Sequence, residues 1–337
     1  MSAALASAPS AWRLCVAPMM QKTDRHFRYL ARLISPRARL YTEMVTTGAL
    51  LHGPRERLLA YDVSEQPLAI QLGGSDPDAL ARCAELASAH GYAEVNLNCG
   101  CPSERVQSGA FGACLMREPA LVAACVTAMR EAVPAQVEIT VKTRLGVDDV
   151  YDYGYFRDFV AVLAAAGCRV FHVHARKAWL KGLSPRENRE IPPLEYAWVH
   201  RLKRELPHLV VVVNGGITTP AAAHAHLAAV DGVMIGRRAY DAPATLAAFE
   251  SALFDAPAAA LDERAIVESY ARHAAVESAR GTPPRVLTRH LVNLFEGVPG
   301  ARRWRRHLSE HGAGDAATVI HAALACLDFT AAPVTAP

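Results

Sequence analysis

The chain has 337 residues, 51% of them hydrophobic and 20% charged, and its formal net charge is +3. This is the composition of an ordinary globular protein, with a length that suits one large domain and a smaller appendage. The first ten residues contain no basic segment followed by an apolar one, and no run reaches the roughly 20 apolar residues of a membrane span. We therefore expect a soluble cytoplasmic protein with no membrane partner.

Short β-type runs alternate with helical stretches from residue 13 to residue 254. The strands are predicted at 14–18, 40–44, 68–72, 94–98, 137–143, 169–174, 209–213 and 232–236. Eight strands separated by crossovers predict a parallel α/β sheet, and the number eight favours a closed (β/α)₈ TIM barrel.

Helical stretches fill the intervals between the strands. They are predicted at 76–90, 118–132, 155–166 and 219–230. Thr218 and Thr219 can cap the last of these, and Pro220 occupies its first turn.

After about residue 255 the pattern becomes helical only, and Pro283-Pro284 and Pro299-Gly300 mark turns between the helices. We predict three parts: a flexible N-terminus (1–12), a catalytic barrel (13–254) and a small all-helical C-terminal domain (255–337) with a frayed end.

Eight cysteines are spread along the chain. Without a secretory signal, this usage indicates reduced thiols and not a disulfide framework. Cys99 and Cys101 are close in sequence, but no second Cys or Cys/His pair has zinc-site spacing, and Cys114 does not complete a set. We predict no metal site.

Polar residues gather where the predicted strands end. They include Gln71, Asn96, Asn98, Lys142, His172, His174 and Asn214. In TIM barrels the carboxyl ends of the strands form the active site. Because buried polar groups are costly without partners, this set predicts a polar ligand at the barrel mouth. His172 is predicted to lie deeper than His174, and no role is assigned to it.

Glycines follow the last two predicted strands, as Gly215, Gly216 and Gly236. TIM barrels often bind phosphate at this place through backbone N–H groups, which glycine allows a ligand to approach. Arg237 can add positive charge. No GxGxxG motif follows the first strand, so no dinucleotide-binding domain is predicted.

A cysteine-bearing loop, NLNCGCPSERVQSGAFGACLM at 96–116, follows the fourth predicted strand. It has no neighbouring base in sequence, whereas a nucleophilic cysteine normally needs a group that stabilises its thiolate. An unperturbed thiol is mostly protonated at neutral pH and can act as an acid. Buried inert cysteines are common, but a polar loop at a barrel mouth favours the chemical role.

Two segments are rich in basic residues. Residues 176–204 contain eight Lys or Arg against three Glu, and residues 281–307 contain six Arg against one Glu. Such patches on a nearly neutral protein are typical of polyanion binding, although charge alone equally fits two solvated helices.

The motifs taken together resemble the tRNA-dihydrouridine synthases, and in particular their A subfamily. They comprise APMMxxTDRHxR (17–28), the cysteine-bearing loop, VKTRLG (141–146), HARKAWLKGLSPRENREIPPL (174–194), NGGI (214–217), IGRRAY (235–240) and PGARRWRRHLSE (299–310). The resemblance covers nearly the whole chain.

This resemblance implies FMN as cofactor and NADPH as reductant of the uridine C5=C6 bond. Hydride would pass from FMN N5 to C6, and a proton from Cys101 to C5. The implied FMN-binding residues are Pro18, Met19, Met20, Gln71, Lys142, His174, Asn214, Gly215, Gly216, Gly236 and Arg237. A cation such as Lys142 suits the negative charge of a reduced flavin.

The resemblance also implies the tRNA D-loop, around positions 20 and 20a, as substrate. No obligate protein partner is evident from the sequence, and we expect a monomer. Asn98 would contact the target nucleotide. Further tRNA-binding residues are expected among Arg176, Lys181, Arg186, Arg302, Arg305 and Arg306.

Two positions depart from the subfamily. Gln21-Lys22 replaces the usual Asp-Trp beside the flavin, and Cys99 replaces an aliphatic residue. We interpret Cys101 as the acid and Cys99 as a spectator. Three alternatives stay open from the residues alone: a flavin barrel that acts on a free pyrimidine, a non-catalytic RNA-binding protein, and an aldolase in which Lys142 forms a Schiff base.

Overall fold

The computed structural model describes residues 10–255, 257, 261–310, 312 and 314–329. Eight parallel strands close into a barrel in chain order, and the last strand pairs with the first. The strands are β1 (Leu14–Val16), β2 (Arg39–Thr46), β3 (Leu68–Gly73), β4 (Glu94–Cys99), β5 (Glu138–Arg144), β6 (Val170–His174), β7 (Val210–Asn214) and β8 (Gly232–Ile235). The predicted TIM barrel is confirmed.

Helices cover the outside of the barrel. They are α1 (Arg25–Ile34), α2 (Thr47–His52), α3 (Arg55–Leu59), α4 (Pro77–Ala89), α5 (Glu104–Ser108), α6 (Pro119–Ala132), α7 (Tyr153–Ala165), α8 (Tyr196–Glu205), α9 (Pro220–His226), α10 (Arg237–Asp241) and α11 (Thr245–Leu253). Thr219 caps α9 as predicted, by accepting a hydrogen bond from the Ala222 N–H (3.2 Å).

Helix α9 ends four residues before the predicted 219–230 segment does. The chain must turn there to enter β8, and Asp231 stabilises this turn. Its carboxylate accepts from the Val211 N–H (2.8 Å) and pairs with Lys203 (2.9 Å).

Side chains of each strand alternate between the barrel interior and the layer under the helices. Along β4, Val95 and Leu97 join the large apolar core beneath the helices, whereas Glu94 and Asn96 lie inside the barrel. The interior has only a small apolar cluster of its own, formed by Cys15, Ala17, Tyr41, Ala69, Val212 and Met234. Buried polar side chains occupy much of the remaining interior.

A group of helices follows the barrel: α12 (Glu263–Ala279), α13 (Pro284–Thr288), α14 (Ala301–Glu310) and α15 (Ala316–Leu324). Trp304 is fully buried among them and donates its indole N–H to the Leu291 carbonyl (3.1 Å). The fold class predicted from the sequence, a barrel followed by a helical region, is therefore confirmed.

The TDRH segment of the sequence connects the barrel to this helical region. Asp24 caps α1, and its carboxylate also contacts Arg289 and the His290 ring (3.0 Å). The next residue, Arg25, pairs with Glu277 of α12. The motif therefore fixes the helical region against α1.

The predicted flexible N-terminus and frayed C-terminus fall mainly at residues 1–9 and 330–337, which lie outside the described residues. Trp12, at the end of the N-terminal segment, donates its indole N–H to Glu94 at the barrel base (2.8 Å). Within the described ranges, no helix is long and apolar enough to cross a membrane. The same residues contain no cluster of His, Cys, Asp and Glu suited to a metal ion.

Candidate active site

The cysteine-bearing loop begins where β4 ends, and Asn98 determines how the chain turns there. Its side-chain oxygen accepts the backbone N–H groups of Gly100 (3.1 Å) and Cys101 (3.0 Å). Its amide nitrogen donates to Gln71 (2.8 Å). The half-buried Cys101 thiol lies 3.4 Å from the Ser103 hydroxyl. A hydrogen bond thus links Asn98 and Cys101, two residues that were predicted separately.

Gly112 lets the far end of the loop return to Cys101. It has a φ of +79°, which favours glycine, and a Cβ at this position would lie 2.6 Å from the Cys101 carbonyl oxygen. The return is closed by a hydrogen bond from the Ala113 N–H to that carbonyl (2.9 Å). Cys101 is therefore held on both its N–H and its C=O.

Cys99 has different surroundings from Cys101. It is the last residue of β4, is fully buried, and joins the apolar core beneath the helices. Burial raises the pKa of this thiol well above its ordinary value. Cys101 follows the strand and does not continue its alternation, as the intervening Gly100 suggested.

Arg144 fastens the cysteine-bearing loop to the loop after β6, a role that the sequence did not reveal. Its guanidinium donates to the carbonyls of Gly100 (2.8 Å), Lys177 (3.0 Å) and Asn188 (2.9 Å). Burial lowers its pKa to about 9. The VKTRLG motif contains this residue, but its role could not be inferred from the motif, because its acceptors are backbone carbonyls from distant parts of the chain.

Asn188 organises the loop after β6. It is fully buried, its side-chain oxygen accepts the Trp179 N–H (2.7 Å), and its amide nitrogen donates to the Trp179 (2.9 Å) and Leu183 (3.1 Å) carbonyls. This loop therefore has a defined path beside Cys101.

Lys142 and Asn214 meet across the barrel mouth. The Lys142 ammonium donates to the Asn214 side-chain oxygen (3.2 Å), and the Asn214 amide donates to the Met234 carbonyl (2.7 Å). Burial, followed by the charge of Arg144, lowers the Lys142 pKa to about 7. Lys142 has no ion pair among the described residues, so its charge is available for an anionic ligand.

His174 is buried beside these residues, and desolvation holds its pKa well below the ordinary value. His172 lies deeper, as predicted, at 2.7 Å from the Tyr41 hydroxyl. Asn98, which holds Cys101, is in register with Lys142 on β5, and Arg144 binds the Gly100 carbonyl next to Cys101. The mouth thus brings the thiol and several cations together.

The predicted glycine sites flank this cluster. Gly215 and Gly216 have φ values of +109° and +69°, and a Cβ at either position would lie 2.5 Å from the nearest side chain. At Gly236 a Cβ would have only ordinary contacts, 3.7 Å or more from Ala17 and Met19. These glycines leave the backbone after β7 and β8 without side chains, at the place where TIM barrels often bind phosphate.

The rim next to β1 carries residues 18–20, with Met20 largely exposed. Gln21 and Lys22, which depart from the subfamily pattern, both have partners here. Lys22 binds Asp241 (3.1 Å) and lies over the Tyr240 ring, and the Gln21 backbone N–H donates to Glu43. Both residues are therefore integrated into the rim.

Arg237 is partly exposed and pairs with Glu190 of the loop after β6. It therefore connects the two loops, and its guanidinium is not free in this arrangement.

The basic residues predicted to bind tRNA lie in two places. Arg176, Lys181 and Arg186 belong to the loop after β6, where Arg176 is half-buried and donates to the Pro192 carbonyl. The other three, Arg302, Arg305 and Arg306, are exposed on α14 of the helical region.

A closed parallel barrel with a polar, cationic mouth and a half-buried thiol is typical of a (β/α)₈-barrel enzyme. The sequence profile of the dihydrouridine synthase (Dus) family matches residues 15–328. A tRNA-dihydrouridine(20/20a) synthase of Salmonella typhi is 52% identical over 321 residues, covering 94% of this chain and 96% of that protein.

Proteins of the same name from Escherichia coli K12 and Vibrio parahaemolyticus are 53% and 52% identical over 93% of this chain, and the matches cover 90% and 96% of those proteins. The chain belongs to the dihydrouridine synthase family. The family resemblance and the enzyme class predicted from the motifs are confirmed.

Proposed function

We propose that this protein reduces the C5=C6 bond of uridines 20 and 20a in the tRNA D-loop, with FMN as cofactor and NADPH as reductant. The observation that carries the proposal is the arrangement at the mouth, where Asn98 holds Cys101 and is in register with Lys142 on the adjacent strand. The names of the relatives, tRNA-dihydrouridine(20/20a) synthases, support this substrate and these positions.

The FMN-binding residues surround the mouth. Lys142, Asn214 and His174 lie at the ends of adjacent strands, and the glycines of β7 and β8 leave backbone exposed for the phosphate. The remaining residues of the set are Pro18, Met19, Met20, Gln71 and Arg237. When bound, FMN would supply the hydride and NADPH would restore it, and Lys142 would place positive charge beside the reduced flavin.

Cys101 supplies the proton in this proposal. Addition of hydride at C6 leaves negative charge at C5 and its conjugated carbonyl, and the thiol S–H gives its proton to C5 to complete dihydrouridine. The thiolate is then reprotonated from solvent. The half-exposure of Cys101 suits this exchange, whereas fully buried Cys99 has no such access.

The target uridine must leave the base stack to reach the barrel mouth, at a cost of a few kcal/mol. Asn98 would contact the extruded base. Phosphate contacts from Arg176, Lys181, Arg186, Arg302, Arg305 and Arg306 would offset this cost. We propose that the protein acts as a monomer in the cytoplasm. Light scattering of the purified protein checks the oligomeric state.

A visible absorbance spectrum tests the proposal directly. The purified protein is expected to show flavin absorbance that NADPH bleaches and that unmodified tRNA then restores without oxygen. The matched control is the same tRNA with cytidine at positions 20 and 20a, which should not restore the absorbance. Recovery with free uridine would instead favour a free-pyrimidine reductase, and a protein without flavin would contradict the cofactor assignment.

A further inference from the structure

A continuous series of side-chain hydrogen bonds runs through the barrel from the cysteine-bearing loop to the barrel base. We call Asn98, Gln71, Asn96, Thr140 and Glu94 the interior network. Its links are Cys101 N–H to Asn98 Oδ1 (3.0 Å), Asn98 Nδ2 to Gln71 Oε1 (2.8 Å), Gln71 Nε2 to Asn96 Oδ1 (2.7 Å), Asn96 Nδ2 to Thr140 Oγ1 (2.8 Å) and Thr140 Oγ1 to Glu94 Oε1 (2.7 Å).

The two ends of the interior network impose one direction on every link. At the mouth, the partners of Asn98 Oδ1 are backbone N–H groups, which can only donate. At the base, an ionised Glu94 carboxylate can only accept. Between these ends, each amide must turn its oxygen toward the mouth side and its nitrogen toward the base, so that no side chain can flip without losing a bond.

The base of the network is firmly anchored. Glu94 Oε2 accepts from the Trp12 indole (2.8 Å) and from Arg39 (2.9 Å), and Oε1 also accepts from the Tyr41 hydroxyl (2.7 Å). Because Tyr41 gives its single proton to Glu94, the His172 ring must donate to the Tyr41 oxygen. Four donors, one of them the ion-paired Arg39, therefore hold the carboxylate in place.

The network is also shielded from water. Glu94, Asn96 and Thr140 are fully buried, and Gln71 and Asn98 are buried to more than nine-tenths. Hydrogen bonds in such surroundings are strong and polarise one another, and a broken link leaves a polar group that water cannot satisfy. A change at Thr140 is therefore transmitted to Asn98.

We propose that Glu94, Asn96 and Thr140 are positioning residues for the reaction. They fix the orientation of the Gln71 and Asn98 amides, and through Asn98 they fix the Cys101 thiol. The second N–H of each of these two amides has no partner among the described residues, which leaves a donor suited to a carbonyl oxygen of flavin or uracil. The inference rests on the proposed role of Cys101 as the acid.

Three variants on one strand test this. Thr140→Val keeps the volume but removes the hydroxyl, and Thr140→Ser keeps the hydroxyl. Thr143→Val is the matched control, because the Thr143 hydroxyl contacts only the Arg144 carbonyl (3.3 Å) among its described partners and lies outside the network. Rapid mixing then measures flavin reduction by NADPH and flavin reoxidation by tRNA separately, each in H₂O and in D₂O.

Thr140→Val is expected to slow the tRNA-driven step roughly 10- to 100-fold, since a displaced acid loses its alignment. The solvent isotope effect on this step should rise, while the NADPH-driven step stays close to wild type. Thr140→Ser should recover the tRNA-driven rate, and Thr143→Val should not change it.

Equal rates of the tRNA-driven step in Thr140→Val and Thr143→Val would overturn the inference. Equal slowing of this step in Thr140→Val and Thr140→Ser would also overturn it, because it would indicate an effect of packing alone. If Thr140→Val does not fold, Glu94→Gln carries the same test, because its amide oxygen can still accept from Trp12 while the charge is removed. An unchanged tRNA-driven step in Glu94→Gln would then overturn it. Failure of the wild-type protein to be reoxidised by tRNA is a separate result and would contradict the proposed function itself.

Discussion

At the scale of single residues, the two thiols of the Cys-Gly-Cys segment differ in burial and therefore in their access to a ligand at the mouth. Cys99 points into the apolar core, and its pKa is raised well above the ordinary value, while Cys101 is half-buried at the mouth. Both residues look alike in sequence. Their different surroundings follow from the end of β4 at Cys99 and the turn at Gly100.

Cys101→Ala is expected to lower the rate of tRNA reduction about 100- to 10,000-fold, because a positioned general acid contributes that much. Flavin reduction by NADPH should continue, since the thiol has no part in it. Stopped-flow absorbance of both half-reactions measures the difference. Cys99→Ala is the matched control and should keep both rates; loss of activity in Cys99→Ala with retention in Cys101→Ala would reverse the assignment.

Lys142 gives a prediction about pH. Burial lowers its pKa from the ordinary 10.5 to about 7, so between these values the unfolded chain binds a proton that the folded protein does not. The free energy of unfolding therefore rises as pH increases through this window, and the cost of burying the charge is fully present below about pH 7. In FMN-free protein, this rise should be steeper for wild type than for Lys142→Met.

Urea unfolding followed by circular dichroism at pH 7, 8 and 9 measures both slopes. Wild type and Lys142→Met share every other titrating group, so a difference between their two slopes comes from residue 142. Identical slopes for the two proteins would show that Lys142 keeps an ordinary pKa.

At the scale of elements, strands and helices were predictable because their local signals are strong. The apolar β-runs gave all eight strands to within two residues, and Thr219-Pro220 correctly marked the start of α9. The early end of α9 was not predictable, since it depends on the contacts of Asp231 with distant Val211 and Lys203.

The site was predictable where a residue type is unusual for its position, as with Lys142 or Asn214 at strand ends. It was not predictable where a role depends on backbone partners far away in sequence. Arg144, with its three carbonyl acceptors, and Asn188, at the centre of a loop, are of this second kind. Thr140 is another, because one hydroxyl on a strand gives no signal until its neighbours are known.

The contacts between the start of α1 and the helical region lead to a prediction about stability. Asp24 caps α1 and contacts Arg289 and His290, so Asp24→Ala should destabilise the protein by roughly 1 to 3 kcal/mol, from a lost cap and a weakened ion pair. Asp24→Asn should cost less, because it keeps an oxygen for capping. Thermal unfolding of the two variants and wild type gives this order; equal stability of Asp24→Ala and wild type would contradict it.

At the scale of the whole molecule, the proposed tRNA contacts extend from the barrel mouth to the helical region. The barrel mouth contains the buried polar groups, whereas α14 presents Arg302, Arg305 and Arg306 to solvent around the buried Trp304. A helix with an apolar face packed inward and three exposed guanidinium groups suits contact with phosphates without disturbing the fold.

Replacing Arg302, Arg305 and Arg306 together by Gln should therefore weaken tRNA binding and leave flavin reduction by NADPH unchanged. Each phosphate contact releases about 0.7 to 0.9 counterions, so the slope of log affinity against log salt should decrease by up to about 2 to 3 units. Fluorescence anisotropy with labelled tRNA over a range of salt concentrations measures this slope.

The matched control replaces three exposed arginines on the barrel wall, Arg82, Arg157 and Arg169, by Gln. Both triple variants lose the same net charge, so a general electrostatic effect would weaken tRNA binding equally in the two. A larger decrease in slope for the α14 variant requires direct phosphate contacts there, because only contacted phosphates release their counterions. If the barrel-wall variant loses as much slope as the α14 variant, α14 is not part of the tRNA-binding surface.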